Sequence, residues 1–307
     1  MAPAVKIGSH FSNTCPLSGD LIDPHMTDSL SSSTQTNTDS SLEPRVLVFD
    51  SGVGGLSVAR EIQQRLPGLS LVYASDNGFF PYGTKGEAEL IARVDKVINT
   101  LLRQYPVDIL VIACNTASTL TLPHLRSQLT LPIVGVVPAI KPAAQQTQTG
   151  VIGLLATPAT VARPYTHELI REYAPRCEVI SLGSSELVQL AEQKLRGESI
   201  EQAAIAQIIH SLLAHEQSAH MDRLVLACTH FPLLKEELAT ELPASVQMID
   251  SGEAIARRVE YLLQGRMGTT AIPSENIAVF TKQTTEAERL EAALKNFGIY
   301  RQDYLAI

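Results

Sequence analysis

The sequence predicts an α/β protein made of two doubly wound parallel-sheet domains related by pseudo-symmetry, with a site in the cleft between them. Three observations carry this. Short apolar runs rich in branched residues alternate with segments of helical periodicity, the pattern of parallel strands covered by helices. The segment DILVIACNT (108–116) returns in altered form as DRLVLACTH (222–230), which suggests duplicated halves. A length of 307 residues also suits two domains of roughly 150 residues each.

The strands of the first half are expected at VLVFD (46–50), LSLVYAS (69–75), DILVIAC (108–114) and LPIVGVV (131–137), each short enough and apolar enough to be a buried parallel strand. Between the second and third lies a helix over 87–104. Leu90, Val94, Val97 and Leu101 make its stripe, Ile91, Ile98 and Leu102 widen it, and Pro106 stops it. The second half repeats the rhythm with VIGLLA (151–156), EVISL (178–182), RLVLAC (223–228) and VQMID (246–250). Residues 1–44 differ: from Thr27 to Leu42, ten of sixteen residues are Ser or Thr. That extension has little to bury and is expected to be mobile, with the globular chain starting near Arg45.

Composition excludes several classes. Hydrophobic residues at 45% and charged residues at 18% give enough apolar material for a core, against wholesale disorder. A net charge of -8, with no Lys/Arg block longer than two, disfavours a nucleic-acid partner. No apolar run approaches the roughly 18 residues of a membrane span, so no membrane partner is expected and the chain reads as soluble. The cysteines at 15, 114, 177 and 228 have no CxxC-type spacing, so no metal site and no disulfide framework are expected. Without a basic region followed by an apolar stretch at the N-terminus, the expected compartment is the cytoplasm, where thiols stay reduced.

Cys114 and Cys228 are the leading candidates for chemistry. A single free cysteine is usually a small buried hydrophobe. Here both sit where a strand hands over to a helix, the edge at which open α/β sheets bind ligands, and backbone N–H groups there are expected to lower a thiol pKa. Two thiols facing each other could remove a proton from one face of a carbon and return one to the other, inverting a stereocentre. FDSGVGG (49–55) is a glycine turn after the first strand. It could cradle an anion, with Ser51 adding a hydroxyl and Asp50 a carboxylate. A dinucleotide is disfavoured, because Asp50 stands where a pyrophosphate would approach. Pro81, Tyr82 and Gly83 fix a turn whose amides could face a ligand. Thr157 and Thr160 in TPAT either bind an anion or cap a helix. His230 could polarise the neighbouring thiol. Glu192, taken alone, reads as a solvated helix carboxylate, and Asp250 as a strand end feeding a helix.

Taken together, VFDSGVGGLSV, PYG, ACNTAS, TxxTV, LAE and CTHFPLL, in that order, resemble the glutamate racemase family from about Val46 to the last helices. The resemblance implies a cofactor-independent enzyme interconverting L- and D-glutamate for peptidoglycan synthesis. It makes Cys114 the thiol acting on D-glutamate and Cys228 the one acting on L-glutamate, with Asp50, Glu192 and His230 in support. Ser51, Tyr82, Gly83, Asn115, Thr116 and Thr229 match substrate-binding positions, and Thr157 and Thr160 match the equivalent hydroxyls of the second half; Pro81 belongs to the same turn. It also implies that the first domain, 45–140, takes back residues 251–307, leaving 141–250 as the second. Two departures, VVPAIKPA (136–143) in place of a Glu-Pro-Gly segment and the extension before Arg45, resemble the subgroup activated by UDP-N-acetylmuramoyl-L-alanine. Pyridoxal phosphate is a rival electron sink in principle, but no lysine stands out for it. The alternatives are a racemase of the same family acting on aspartate, or an amino-acid-binding module without turnover. A homodimer is compatible with the family, and oligomeric state is not written in the residues.

Overall fold

The computed structural model describes residues 44–264, 266 and 275–307. The mobility expected of 1–44, and Cys15 within it, lie outside the described residues apart from Pro44. The first half runs β1 (Arg45–Asp50), α1 (Leu56–Arg65), β2 (Ser70–Ser75), α2 (Glu87–Gln104), β3 (Ile109–Ile112), α3 (Asn115–Gln128), β4 (Ile133–Gly135) and α4 (Ile140–Gln146). The second runs β5 (Val151–Ala156), α5 (Pro158–Val161), α6 (Pro164–Tyr173), β6 (Glu178–Gly183), α7 (Glu186–Leu195), α8 (Gln202–Leu213), β7 (Arg223–Leu226), α9 (Lys235–Glu241) and β8 (Gln247–Ile249). The chain then continues through α10 (Gly252–Leu262), β9 (Ile277–Phe280), α11 (Thr285–Glu288), α12 (Glu291–Asn296) and β10 (Arg301–Tyr304).

Two all-parallel sheets result. Their strand orders are β10-β9-β2-β1-β3-β4 and β6-β5-β7-β8. With β9 and β10 set aside, the first order, 2-1-3-4, is repeated by the second. The repeat seen in the sequence is therefore a repeat of topology, and each cysteine follows the third strand of its half, beside the first. The chain returns to the first sheet when β9 pairs with β2, Val72 opposite Ile277 through Ser75 opposite Phe280. α10 packs on α1.

Burial follows position in the sheet. β1, β2, β3, β5 and β7 are buried along nearly their whole length, as parallel strands covered on both faces should be. The sequence led us to expect the same of 131–137, but β4 is an edge strand and only Val134 of its three residues is buried. β6 and β8 are likewise edges with partly exposed residues. An edge strand has a neighbour on one side only, so its apolar residues need not be enclosed. One apolar cluster links helices of both halves, with Val53, Leu56 and Val58 from the first and Leu187, Leu190, Ala191 and Phe231 from the second. This joins the two sheets at the end where the strands release their loops. Among the described residues no helix is long and apolar enough to cross a membrane.

Candidate active site

The loops after β1, β3, β5 and β7, with the segment after β2, converge on a cavity of about 250 Å³. Cys114 enters its lining from the first sheet and Cys228 from the second. Cys114 is the N-cap of α3, in extended backbone (φ -139°, ψ 120°), which turns its side chain out of the strand direction as the helix begins. The following residues divide their work. Asn115 and Thr116 line the cavity. Ser118 instead accepts the Val136 N–H at 3.0 Å and donates to the Ile112 carbonyl at 2.9 Å, fastening β3 to the segment after β4.

Cys228 differs from its counterpart. It leads through Thr229 and His230 into a one-turn 3₁₀ helix, Phe231–Leu234, before α9 begins. No full helix stands on this thiol. Its company is His230, whose Nδ1 lies 3.8 Å from the sulfur and whose Nε2 lies 2.9 Å from Glu192 Oε1. Glu192, expected on its own to be a solvated carboxylate, is buried, because α7 turns it inward to His230. α7 is fixed against the 3₁₀ turn by Lys194 Nζ, which donates to the Leu233 carbonyl at 3.0 Å.

The FDSGVGG turn brings the halves together, in a different way from the one its glycines suggest. Two of the amides expected to cradle an anion are taken by the chain itself. The Val53 amide donates to Glu192 Oε1 at 2.8 Å and the Gly55 amide to Asp50 Oδ2 at 2.8 Å, so the chain's own carboxylates occupy those donors. The glycines serve close approach. A Cβ on Gly52 would stand 2.2 Å from Glu192 Oε1, and one on Gly54 would stand 2.4 Å from His230 Nδ1. Ser57 Oγ sits 2.8 Å from both the Gly54 and Thr229 carbonyl oxygens, tying the turn to the second cysteine's loop.

Around Cys114, burial and the nearby Asp50 carboxylate push the thiol well above its ordinary value. The Ala117 amide and the Ser51 hydroxyl, 3.9 Å from the sulfur, offset only part of this. The lowering expected from a helix N-terminus is outweighed by desolvation in a fully enclosed strand end. Asp50 is fully buried and lies behind the cavity wall, not in its lining. Burial raises its carboxyl; His230 and the Gly55 and Ser51 amides pull partly the other way. Burial pulls the His230 imidazolium down, but Cys228 and Glu192 more than reverse this and leave it raised well above the usual histidine value.

Of the residues singled out in the sequence, the cavity collects Ser51, Pro81, Tyr82, Gly83, Cys114, Asn115, Thr116, Thr157, Thr160, Cys228, Thr229 and His230. Asp50 and Glu192 stand behind it. Thr157 caps α5, one of the two readings given for it, accepting the Thr160 N–H at 3.3 Å, and it also lines the cavity. Sequence reasoning missed Phe80, Thr84, Ser185, Val188 and Gln189. A signal existed for the last three. Positions 185, 188 and 189 share a helix face with Glu192 at the spacing i, i+3, i+4, i+7. No Lys or Arg lines the cavity among the described residues, so an anion placed there meets only neutral hydrogen-bond donors and His230.

A duplicated parallel α/β fold that offers one thiol from each half to one small cavity defines a class, the amino-acid and hydantoin racemases. The chain belongs to the Asp/Glu/Hydantoin racemase family, which residues 47–259 match. Within it the chain resembles the glutamate racemases. It is 48% identical to glutamate racemase of Salmonella paratyphi A over 270 residues, 88% of this chain and 95% of that one. The fold matches that of Escherichia coli glutamate racemase in complex with L-glutamate and activator UDP-MurNAc-ala, with a TM-score of 0.82, 48% identity, and coverage of 86% of this chain and 99% of the other. Glutamate racemase isoform RacE1 from Bacillus anthracis also matches, with a TM-score of 0.74, 29% identity, and coverage of 86% and 98%.

Proposed function

We propose that this chain interconverts L- and D-glutamate by proton transfer between two cysteines, supplying D-glutamate for peptidoglycan in the cytoplasm. The observation that carries the reading is the pair Cys114 and Cys228, one from each sheet, on a single cavity. We take 45–140 with 251–307, and 141–250, as the two domains that bring them there. One sulfur, as thiolate, removes the α-proton; the other, as thiol, delivers a proton to the opposite face. The two sulfurs exchange protonation states in each turnover. By family analogy Cys228 is the base for L-glutamate and Cys114 the base for D-glutamate.

A thiolate is a weak base for an α-carbon, and general acid–base catalysis contributes only about 10²–10⁴-fold. The carboxylate oxygens that take up the developing charge need donors fixed in advance, each contributing roughly 3–4 kcal/mol. Ser51, Asn115, Thr116 and Thr229 are the side chains at hand. The substrate's ammonium brings a positive charge to a cavity that has Asp50 behind it, which lowers the cost of ionising Cys114. His230, held by Glu192, orients and polarises Cys228. The chain supplies both proton-transfer groups, so the scheme calls on no cofactor.

The test is circular dichroism on L-glutamate, D-glutamate and L-aspartate, with Cys114→Ser and Cys228→Ser alongside. Wild-type protein should racemise glutamate and each variant should lose turnover. In D₂O the newly formed enantiomer should carry deuterium at Cα. Near-normal turnover by either variant, or product that keeps its original hydrogen, defeats the two-base scheme. Faster turnover of aspartate defeats the substrate assignment, and binding without turnover makes the chain a binding module.

A second reading concerns activation. The VVPAIKPA segment lines another cavity, of about 490 Å³, through Val137, Pro138, Ala139, Lys141 and Pro142, opposite Arg126, Arg258 and two tyrosines. Three cationic side chains beside aromatic rings suit a nucleoside diphosphate. We propose that UDP-N-acetylmuramoyl-L-alanine binds there and raises the rate. Added precursor should increase kcat/KM, and Lys141→Ala should weaken the response without removing basal turnover.

A further inference from the structure

The first residue after β2, Asp76, is fully buried and takes part in none of the steps above. Three parts of the chain bring donors to its carboxylate. Tyr82 Oη donates to Oδ2 at 2.8 Å. Arg93, from α2, donates through Nε to Oδ2 at 3.0 Å and through Nη2 to Oδ1 at 2.7 Å, a two-pronged pairing. Thr281, just past β9, donates to Oδ1 at 2.6 Å. The Asp76 amide is itself bonded to the Asp50 carbonyl at 2.9 Å.

What this carboxylate holds is the substrate-facing turn. Pro81, Tyr82, Gly83 and Thr84 line the cavity, and Tyr82 also reaches back to Asp76. Phe79 braces the same turn, edge-on to Tyr82 with ring centroids 6.1 Å apart, under Lys85 and Arg93. A buried carboxylate one tyrosine away from an anion's binding surface is a liability, because charges in a dry interior act on each other strongly. Arg93 cancels that charge. For a fold-stabilising pin alone, an apolar contact would serve as well or better.

We infer that Asp76 and Arg93 are positioning residues of the glutamate site: Asp76 hangs the Pro81–Gly83 turn in place through Tyr82, and Arg93 keeps the wall behind that turn free of net negative charge. This rests on the glutamate reading above. It extends the site to α2, which does not touch the cavity.

The experiment measures calorimetric affinity for D-glutamate, with KM and kcat for both enantiomers, on wild type, Tyr82→Phe, Arg93→Met, and Asp76→Asn combined with Arg93→Met. Arg93→Met should weaken glutamate binding by about tenfold or more, with kcat within about threefold, since the exposed negative charge opposes the anion. Adding Asp76→Asn removes that charge and should bring affinity back to within about threefold of wild type. Tyr82→Phe should weaken binding of both enantiomers to a similar degree. Losses that simply add in the double variant, or that fall on kcat instead of KM, overturn the inference. If Arg93→Met does not yield folded protein, the neutral double variant and Tyr82→Phe decide: a double variant binding more than about tenfold weaker than wild type overturns it. Wild-type protein that neither binds nor racemises glutamate overturns the glutamate reading itself. Wild type that does both, with affinity unchanged in Arg93→Met, overturns this inference alone.

Discussion

His230 stands between a sulfur and a carboxylate: its Nε2 is 2.9 Å from Glu192 Oε1 and its Nδ1 is 3.8 Å from Cys228 Sγ. Both partners are buried, and Glu192 Oε1 is also held by the Val53 amide of the other half. The imidazole is therefore held at both nitrogens, and the carboxylate that holds one of them is itself anchored by the other half.

Glu192→Gln keeps the shape and removes the charge that orients His230. In hydrolytic triads, the loss of the orienting carboxylate lowers kcat by about 10⁴. Here one of two thiols is served, and a fall of about 10²-fold or more in kcat/KM is expected. Two enantiomers have equal free energies, so the loss must be the same from L- and D-glutamate; the separate kcat and KM values are where the directions differ. Progress curves from each enantiomer check this, and unchanged kcat/KM would remove Glu192 from the mechanism.

Stability should fall as pH rises. The folded-state value of His230 lies above its unfolded value of 6.5, so its contribution is complete below 6.5 and is lost as pH climbs through the folded value. Asp50 acts with the same sign from 3.8 upward, and Cys114 from 9.0 upward. Urea unfolding at pH 6 and pH 9 should show a lower unfolding free energy at pH 9. Glu192→Gln should shrink the difference.

Cys114 should resist alkylation. Its thiol is buried and its ionisation is pushed up, and the thiolate is the reactive form. Mass spectrometry after iodoacetamide at pH 8 should find Cys114 unmodified in folded, substrate-free protein and modified in urea. Rapid labelling of the folded form would contradict the desolvation argument.

Gly54→Ala should damage turnover more than folding. The added methyl meets the His230 ring and Thr229 Oγ1, at 2.4 and 2.7 Å, and must displace them. A misplacement of about 1 Å costs on the order of 10²-fold in rate. The expected result is a kcat reduced by about that factor with a far-ultraviolet circular dichroism spectrum like that of wild type.

The sequence made the strands, the duplicated cysteines and most of the cavity lining legible, because short apolar runs and the 3.6-residue helical period are local and the repeat flagged its own second copy. It hid what depends on distant partners. The Val53 amide meets Glu192, 139 residues away, a use of the glycine turn that nothing local announces. Glu192 looked solvated because nothing nearby in sequence announces His230. The rise in the Cys114 pKa was likewise out of reach, since the strand-to-helix junction argued for lowering and only burial beside Asp50 reverses it. Asp76 left no trace, because its donors come from residues 82, 93 and 281.

The insertion of β9 beside β2 also sets an order of assembly. Translation delivers the four strands of the second sheet before Ile277–Phe280 can close the gap between β2 and β10. A nascent chain thus completes its middle before its beginning, and the sheet bearing the earlier thiol waits for residues 277–304 to leave the ribosome. Premature termination after α10 would spare the later sheet and both thiols but strip β2 of its outer neighbour, leaving an open β edge beside the site.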